Sequence, residues 1–468
     1  MSGYTDKVSS VKMKYYDLTE LLDKTDYSGS KPDATKVRYN FSAKNGVLYR
    51  GLGVEEAGMF EGKNMRSVHY FRRYQRGVLD TESLIVGVTT AGEFLYAYAN
   101  PQVNGSEVYK VEGVKIRNVP SFVNYNFQSK DYLIINDGFD GMYVFDGSAI
   151  TELENPVVSN IAIYDNMMFG CSMENYACVK YAQLSSPSAW SSNMSSMLLY
   201  NECGMVQTLA TIKRHLFVFQ DFGITRITRY DGLTGSYELS KIWYSGEKIV
   251  PGSVAVCGDD IYFCTHSGVY SFNGTTVRRV LTELDGFITP DEYARICFYN
   301  GKVHIASKVT LSGEPFETEA SFYHNNALIC YDPSSKKFEV FRGLCVTAFC
   351  PVPTGNSMLV AIDGYKLGRL VETGKVFDKK LYKYWETTAS NFGSGNKKFI
   401  HSVRVGNDVP LEVRLIVDGK AYAYVVPPAK TRYFRLNKAG YSVAFSLKAL
   451  ESECNVTVPV IVYSEEVG

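Results

Sequence analysis

The segment "DYLIINDGFDGMYVFDGSAITEL" (Asp131 to Leu153) contains two short apolar runs, each followed by a turn rich in Asp, Asn and Gly. Carboxylates alternating with glycine can fold around a hard cation such as calcium, which needs about six to eight converging oxygen ligands. The same residue types form ordinary tight turns, because they tolerate positive φ and bond their own backbone. The segment by itself leaves both interpretations open.

A second copy, "DIYFCTHSGVYSFNGTTVRRV" (Asp260 to Val280), decides between them. The two copies share a glycine turn, alternating aromatics and a final Asp/Asn-Gly pair: Gly141, Tyr143, Phe145 and Gly147 match Gly268, Tyr270, Phe272 and Gly274. Asp137 and Asp140 have no acidic counterpart in the second copy. The repeated feature is therefore a strand between two turns, and we expect neither a metal ion nor a cofactor.

A hairpin of two short apolar strands around a polar turn recurs along the chain. Clear copies begin at Phe122, Ile161, Leu209, Val254 and Ile296, and looser copies begin at Val68 and Val346. From Val68 to Val346 the spacing averages about 46 residues, close to the length of one four-stranded propeller blade. The pattern predicts an all-β protein with a β-propeller of six or seven blades, and a β-sandwich or a pair of sandwiches is the alternative. Strands around 41–51 are expected to complete the last blade.

The repeat occupies only part of the 468 residues. Residues 1–40 are polar and predict an N-terminal arm, with a short helix and a Ser/Gly/Pro stretch. The propeller is expected over 41–380. Residues 381–468 lose the period and alternate polar and apolar positions, with an Asp418-Gly419 hairpin turn, which predicts a C-terminal β-sandwich domain.

Composition limits the partners that the protein can have. Forty-nine basic residues balance forty-nine acidic ones, so no overall field attracts nucleic acid or anionic lipid. The first residues do not form a secretory signal, and no apolar run reaches the roughly 20 residues of a membrane helix. Ten cysteines lie in or beside apolar strands, which indicates reduced, buried thiols of a protein made in a cytoplasm.

Few residues point to catalysis. The sequence contains no phosphate-binding glycine loop and no nucleophile elbow, and its six His are scattered. Adjacent carboxylates such as Asp259 and Asp260 fall in a hairpin turn. We therefore predict that the protein is not an enzyme, although a propeller funnel that gathers distant carboxylates into a glycosidase remains an alternative.

Two basic stretches are the candidate contact sites for nucleic acid or a partner. The first, "HYFRRYQRG", contributes Arg72, Arg73 and Arg76, and the second, "NKKFIHSVR", contributes Lys397 and Lys398. Arginine interleaved with aromatic residues can hold phosphates and stack on bases. The alternative is a strand whose outward residues happen to be basic.

One region resembles a known family. "YAQLSSPSAWSSN" (Tyr181 to Asn193) and "GMVQTLATIKRHLFVFQDFGITRITRYDGLTG" (Gly204 to Gly235) are similar to the propeller-type tail hubs of short-tailed phages, also called packaged-DNA stabilization proteins. The matching positions are Ser185, Pro187, Trp190, Phe217, Phe219, Tyr230, Thr234 and Gly235. "NFSAKNGVLYRGLG", "NALICYDPSSKKFEVF" and "YWETTASNFGSGNKKFIHSVRV" also fit such proteins.

The resemblance implies a virion structural protein of the phage tail, assembled in the host cytoplasm. Such a hub or nozzle is a homo-oligomeric ring, typically a hexamer, that closes or extends the DNA exit channel below the portal and adaptor proteins. It carries tail spikes or fibres as receptor-binding appendages, and double-stranded DNA passes through without sequence specificity. The other hypotheses are a minor tail propeller that recognises a host glycan or protein, and the propeller glycosidase.

Overall fold

The computed structural model describes residues 10–16, 35–44, 47–73, 82–153, 156–183, 194–231, 236–310, 325–353, 355–362, 366–449, 451, 453–457 and 459–466. Strands dominate these residues. The helical elements among them are short: Pro101–Asn104 is α-helical, and Pro251–Ser253 and Thr282–Leu284 are 3₁₀ turns. No helix in this part of the chain is long and apolar enough to cross a membrane.

Six consecutive antiparallel sheets each contain four strands in chain order, and we number them blades 1 to 6. Blade 1 contains Met65–Phe71, Leu84–Thr89, Glu93–Tyr98 and Val108–Lys115. Blade 2 contains Ser121–Phe127, Lys130–Asn136, Met142–Phe145 and Ile150–Leu153. Blade 3 contains Val158–Tyr164, Met167–Ser172, Cys178–Gln183 and Ser195–Leu198.

The next three blades repeat this order. Blade 4 contains Val206–Ile212, His215–Gln220, Gly223–Asp231 and Ser236–Tyr244. Blade 5 contains Ala255–Cys257, Asp260–Thr265, Gly268–Phe272 and Val277–Val280. Blade 6 contains Arg295–Tyr299, Lys302–Ser307, Ala327–Asp332 and Lys337–Arg342.

Blade 7 combines both ends of the propeller chain. Val346–Val352, Ser357–Ile362 and Lys366–Val371 come from its C-terminal end. The fourth strand is Gly53–Glu56, which pairs antiparallel with Lys366–Val371. Two short strands, Lys375–Val376 and Lys379–Lys380, extend this sheet. The propeller thus has seven blades, and a strand from before blade 1 completes blade 7.

Buried apolar clusters join every blade to the next. Each of seven clusters draws its residues from two neighbouring blades, and one joins blade 7 to blade 1. The second strands are packed on both faces, and all six residues of Leu84–Thr89 are buried. First strands of neighbouring blades contact one another, and the His69 and Phe122 rings stack at 5.0 Å between blades 1 and 2. The first strands therefore surround the centre of a closed ring.

The remaining strands form a β-sandwich from both ends of the chain. Sheet A runs in the order Lys12–Tyr15, Val460–Glu465, Lys398–Asn407, Val456–Thr457, Val47–Arg50 and Phe41–Lys44, and Ala429–Gly440 also pairs with Lys398–Asn407. Sheet B runs in the order Thr35–Tyr39, Lys383–Thr387, Val443–Ala449, Leu411–Val417 and Lys420–Val426. One core, built around Trp385, Phe41 and Phe445, lies between the two sheets.

Two expectations about the N-terminal residues need correction. The described parts of 1–40 include Lys12–Tyr15 and Thr35–Tyr39, which are sandwich strands rather than a free arm. The strands within 41–51 also join the sandwich, since Val47–Arg50 pairs with Val456–Thr457, so the ring is closed by Gly53–Glu56 instead. The strand pattern was correct, but the pairing partners lie about 400 residues away along the chain, where local pattern carries no information.

The sandwich is attached to the outer strand of blade 6. The backbone amide of Asn40 donates to the Val340 carbonyl at 2.9 Å, and the amide of Ala43 donates to a Glu339 carboxylate oxygen at 2.9 Å. The Tyr39 ring packs beneath the Arg342 guanidinium at 5.3 Å. The N-terminal strands therefore connect the two bodies.

Several blade hairpins turn on two residues with positive φ, and this predicts a stabilising change. Gln128 and Ser129 have φ of 49° and 64°, where residues with a Cβ are strained. We expect Gln128→Asn with Ser129→Gly to raise the free energy of unfolding by about 1 kcal/mol, since Asn-Gly suits such turns. Urea unfolding would measure the change. In the reverse control, Asn300→Gln with Gly301→Ser should destabilise the equivalent turn of blade 6, and equal midpoints for all three proteins would contradict the prediction.

Candidate functional site

The first basic stretch lies at the end of the first strand of blade 1. Arg72 is exposed. Arg73 instead packs on the neighbouring blade, because a Cβ on Gly147 would lie 2.6 Å from its guanidinium carbon. Its backbone amide donates to the Ser83 hydroxyl at 3.0 Å. Arg76 lies outside the described residues. Arg73 thus braces blade 1 against blade 2, whereas Arg72 is exposed.

The second basic stretch lies on sheet A of the sandwich, away from blade 1, so the structure does not bring the two stretches together. Lys397 is half-buried, with its ammonium 6.0 Å from the Phe399 ring centroid. Lys398 is fully buried, and its ammonium donates to the carbonyls of Ser394 and Asn396. This placement corrects the expectation for Lys398, because its charge does not reach a partner. Contact by Arg72 and Lys397 remains a prediction.

The most distinctive surface is the side of sheet A that faces away from sheet B. Because successive strand residues point to opposite faces, Val11, Met13 and Tyr15 project outward while Tyr16 enters the core. The three outward side chains are 64%, 53% and 59% exposed. Tyr433, 53% exposed, extends this apolar strip on the opposite edge strand.

Basic side chains share this surface. Met13 lies opposite Val462, Val462 opposite Ser402, and Ser402 opposite Arg435. Arg404 lies opposite Tyr433, with its guanidinium 5.5 Å from the ring centroid. We call Val11, Met13, Tyr15, Lys397, Phe399, Arg404, Tyr433 and Arg435 the outer sandwich face.

Charge distinguishes this sheet from the neutral chain as a whole. Four adjacent strands, Lys12–Tyr15, Lys398–Asn407, Ala429–Gly440 and Val460–Glu465, contain one acidic residue, Glu465. They contain eight basic ones: Lys12, Lys14, Lys398, Arg404, Lys430, Arg432, Arg435 and Lys438. Of these, Arg404 and Arg435 belong to the outer sandwich face, together with Lys397 just before its strand. Basic charge beside exposed apolar side chains is typical of a surface that binds a macromolecule.

Sequence reasoning missed most of the outer sandwich face. Val11, Met13 and Tyr15 fall in the predicted arm, where the alternation "VKMKYY" is itself a strand signal. Tyr433 and Arg435 fall in a predicted strand, but nothing local indicates which side of it faces solvent. That choice depends on sheet B, which covers the other side.

The central channel has a different character. The seven first strands contain two charged residues, Arg66 and Arg295. Both guanidinium groups are held by backbone carbonyls: Arg66 donates to Thr90 at 2.6 Å, and Arg295 donates to Glu292 and Ala294, each at 2.9 Å. The channel wall is thus nearly uncharged and does not present a row of cations to a phosphate backbone.

One mouth of the channel contains a cavity of about 560 Å³. Blades 2 to 6 and the links between them line this cavity. Its exposed apolar side chains are Val119, Tyr176 and Met205, and Arg295 packs across Gly252 on its opposite side. The mouth is large enough for a small polar ligand.

Hydrogen bonds within the protein account for the acidic turn that raised the question of a metal ion. One Asp137 oxygen accepts from the backbone amides of Phe139 and Asp140, at 3.0 and 3.2 Å. The other accepts from the amides of Arg117 and Asn118, at 2.8 and 3.3 Å. Four backbone donors thus occupy this carboxylate. Within the described residues no three His, Cys, Asp or Glu side chains are grouped as metal ligands.

The second part of that segment is a repeated turn, as predicted. Asp146 accepts from the amides of Ser148 and Ala149 at 3.0 and 2.9 Å. Asn273 accepts from the amides of Thr275 and Thr276 at 3.0 and 2.8 Å. Gly147 and Gly274 follow these residues with φ of 100° and 96°, which requires glycine. The same chemistry closes the same corner of blades 2 and 5.

Buried ionisable groups also mark the interiors of the blades and of the sandwich. Nine of the ten cysteines are buried, and burial raises the pKa of Cys257 and Cys264 to about 12. Burial lowers the pKa of Lys383 to about 8 and that of His304 to about 4. In each case desolvation disfavours the charged form.

His304 predicts a pH dependence of stability. Its pKa is about 4 in the folded protein and 6.5 in an exposed chain, so the unfolded state binds more protons between these values. The free energy of unfolding must therefore fall as the pH is lowered through this window, by up to about 1.4 kcal/mol per pH unit. His304→Gln should flatten the slope between pH 6.5 and 4 in urea unfolding. An unchanged slope would show that His304 does not titrate differently on folding.

The positions that carried the family resemblance divide into two groups. Phe217 and Phe219 are buried between blades 4 and 5, and Tyr230 belongs to the third strand of blade 4. Ser185, Pro187, Trp190, Thr234 and Gly235 lie outside the described residues. Those that are described serve the blade core or framework, so they inform the fold more than the site.

Comparison with known proteins gives similarity of fold only. No family model and no curated protein matches the chain. The solved structures similar to it include the extracellular domain of a hybrid two-component system from B. thetaiotaomicron, at 10% identity and TM-score 0.43 over 80% of this chain and 47% of that one. PorZ, a surface component of the type-IX secretion system of Porphyromonas gingivalis, matches at 11% identity and TM-score 0.43, over 82% and 46%.

Raptor from Chaetomium thermophilum matches at 10% identity and TM-score 0.45, over 71% of this chain and 29% of that one. The chain thus spans less than half the length of each of the three proteins. All three contain β-propellers, and the present fold rests on its own seven blades and their closure. The chain is a seven-bladed β-propeller joined to a β-sandwich.

Proposed function

We propose that the protein is a structural component of a short-tailed phage virion, a tail hub or nozzle whose copies form a ring below the portal and adaptor. The observation that carries this proposal is the outer sandwich face. Val11, Met13 and Tyr15 are each more than half exposed beside Arg404 and Arg435. Exposed apolar strips of this kind mark surfaces that a protein partner covers.

The rest of the fold supports a rigid structural role. The propeller of each copy is closed by a strand from its own N-terminal end, and both ends of the propeller chain continue into the sandwich. A closed propeller with a core between every pair of neighbouring blades resists opening. The sandwich is also held to blade 6 by backbone and side-chain bonds, so a partner bound to it would be fixed relative to the propeller.

The proposal also names the binding partners and predicts that the protein has no catalytic activity. Copies of this chain, portal and adaptor proteins, and tail spikes or fibres would be bound through its surfaces, without catalysis. Passing double-stranded DNA would be accommodated without sequence specificity. The zero net charge of the chain suits such a role, because a strongly basic ring lumen would hold DNA by counterion release.

Electron microscopy of the full chain tests this function. We expect closed rings, alone or on a portal–adaptor complex, and sedimentation of the same sample as one discrete oligomer. A protein that stays monomeric at high concentration and in the presence of the portal–adaptor complex would contradict the proposal.

The channel mouth favours a second candidate, a tail propeller that binds a host glycan. Its cavity of about 560 Å³ presents the half-exposed Tyr176, and aromatic rings pack well against sugar faces. A glycan array with the full chain would support this role if binding were lost in Tyr176→Ala. Absence of binding across the array would count against it.

A further inference from the structure

An acidic sector of the propeller complements the outer sandwich face. Residues 131–179 contain no Lys or Arg. They contain eight acidic residues: Asp131, Asp137, Asp140, Asp146, Glu152, Glu154, Asp165 and Glu174. The stretch covers most of blade 2 and half of blade 3. A chain of zero net charge thus concentrates basic charge on the sandwich and acidic charge on two blades.

Some of these acids are engaged within the propeller, and others keep their charge exposed to solvent. Asp137 is occupied by backbone amides, and Asp140 and Asp146 pair with Arg117 and Lys130. Glu152 is exposed on the outermost strand of blade 2. Glu174 pairs with Lys180 but keeps 60% of its side chain exposed.

Apolar side chains accompany them at the outer edge of blade 3. Leu198, at the end of the outermost strand, is 50% exposed, and Tyr200, two residues later, is 74% exposed. We call Glu152, Glu174, Leu198 and Tyr200 the far rim. Like the outer sandwich face, it combines exposed apolar side chains with charge, but the charge has the opposite sign.

The two surfaces lie on opposite sides of the propeller. The sandwich is attached to blade 6. In a ring of seven blades, blades 2 and 3 are each three steps from blade 6, which is the greatest separation possible. Within sheet A, the strand Phe41–Lys44 contacts blade 6, whereas the strand with Tyr433 and Arg435 forms the opposite edge. The edge of the sandwich that carries Tyr433 and Arg435 therefore lies away from blade 6.

We propose that the outer sandwich face of one copy binds the far rim of the next copy. A contact between two different surfaces on opposite sides of a subunit is heterologous, and its repetition closes into a ring when the rotation between copies allows. This inference rests on the proposed function, because it names the contact that builds the proposed ring. Opposite charges guide the approach, and the apolar side chains of both surfaces are covered on binding.

Charge reversal on each surface tests the contact. In the sandwich variant, Arg404→Glu is combined with Arg435→Glu, and in the rim variant Glu152→Lys is combined with Glu174→Lys. Each variant should self-associate at least about tenfold more weakly than the unmodified chain, since like charges then meet. Glu283→Lys with Glu292→Lys, in the link between blades 5 and 6, is the matched control and should leave association unchanged.

An equimolar mixture of the two variants gives the sharper readout. Every reversed surface then finds a reversed partner, so the mixture should form rings in which the variants alternate. Sedimentation and electron microscopy would measure the restored assembly, and circular dichroism would confirm that each variant is folded.

Four results would overturn the proposal. Rings unaffected by either pair of reversals would exclude these surfaces from the ring contact, while leaving the ring function intact. A mixture of folded variants that stays dissociated would exclude the pairing of these two surfaces with each other. If the sandwich variant keeps its ring but loses binding of a DNA duplex, the outer sandwich face serves nucleic acid instead. An unmodified chain that never assembles would contradict the ring function itself.

Discussion

Gly368→Val is expected to displace the strand that closes the propeller and to lower the free energy of unfolding by about 3 kcal/mol or more. A Cβ at Gly368 would lie 2.2 Å from the Val54 Cγ1 and 2.7 Å from the Glu55 carbonyl oxygen. Both atoms belong to the closing strand, Gly53–Glu56, and one of them is backbone. The branched side chain can be accommodated only if the strand moves out of blade 7.

The consequence reaches beyond one strand, because Val54 also belongs to the core between blades 6 and 7. Thermal and urea unfolding would measure the loss, and hydrogen exchange would show faster exchange in 53–56. Gly246→Val is the control, since a Cβ there meets no atom within 4 Å. Equal stability of the two valine variants would mean that ring closure does not depend on this strand.

The sequence predicted the propeller because its signals are local. The pairs Gly141/Gly268 and Phe145/Phe272 occupy equivalent positions in blades 2 and 5, as the alignment indicated. Turns and alternation act within about ten residues, so they survive in the sequence of every blade. The choice between six and seven blades was open because two of the seven hairpin copies, those at Val68 and Val346, were only loosely similar to the others.

Pairing between distant strands could not be predicted in this way. Val47–Arg50 and Gly53–Glu56 are separated by two residues, yet the first joins the sandwich and the second joins blade 7. Both are short, half-apolar strands with similar local patterns. Which sheet each enters depends on strand edges supplied by residues more than 300 positions away, Val456–Thr457 for the first and Lys366–Val371 for the second.

The candidate site shows the same limit more strongly. Lys397 and Lys398 are identical neighbours in the sequence, but Lys397 is half-buried on the outer side and Lys398 is fully buried on the core side of its strand. Because successive side chains of a strand point to opposite faces, the sequence indicates that the two lysines lie on different sides of the sheet. It does not indicate which of the two sides faces the core. The outer sandwich face is visible only after residues near 13, 404 and 433 meet in one sheet.

The sandwich and the propeller depend on each other through the chain. The closing strand follows the sandwich strand Val47–Arg50 by two residues. At the other end, Lys379–Lys380 of blade 7 leads into the sandwich strand Lys383–Thr387. Both ends of the ring are therefore held in one small domain, and loosening that domain removes the support from both.

Trp385→Ala tests this dependence and is expected to lower the free energy of unfolding by about 3–5 kcal/mol. Trp385 is fully buried between the sheets, with ring centroids of Tyr16 and Phe445 at 6.0 and 6.2 Å. Its removal leaves a cavity where an N-terminal and a C-terminal strand meet. Tyr441→Ala, at a side chain 55% exposed on the same domain, should cost less than about 0.5 kcal/mol.

The fate of the propeller in Trp385→Ala distinguishes two views of the molecule. If the sandwich holds the propeller closed, hydrogen exchange should accelerate in the sandwich strands and also in the closing strand 53–56, which is not part of the core around Trp385. If the two bodies are independent, exchange in 53–56 should stay as slow as in the unmodified chain. We expect the first result, because each ring end reaches the sandwich within two or three residues, too short a link to let one body open while the other keeps its strands.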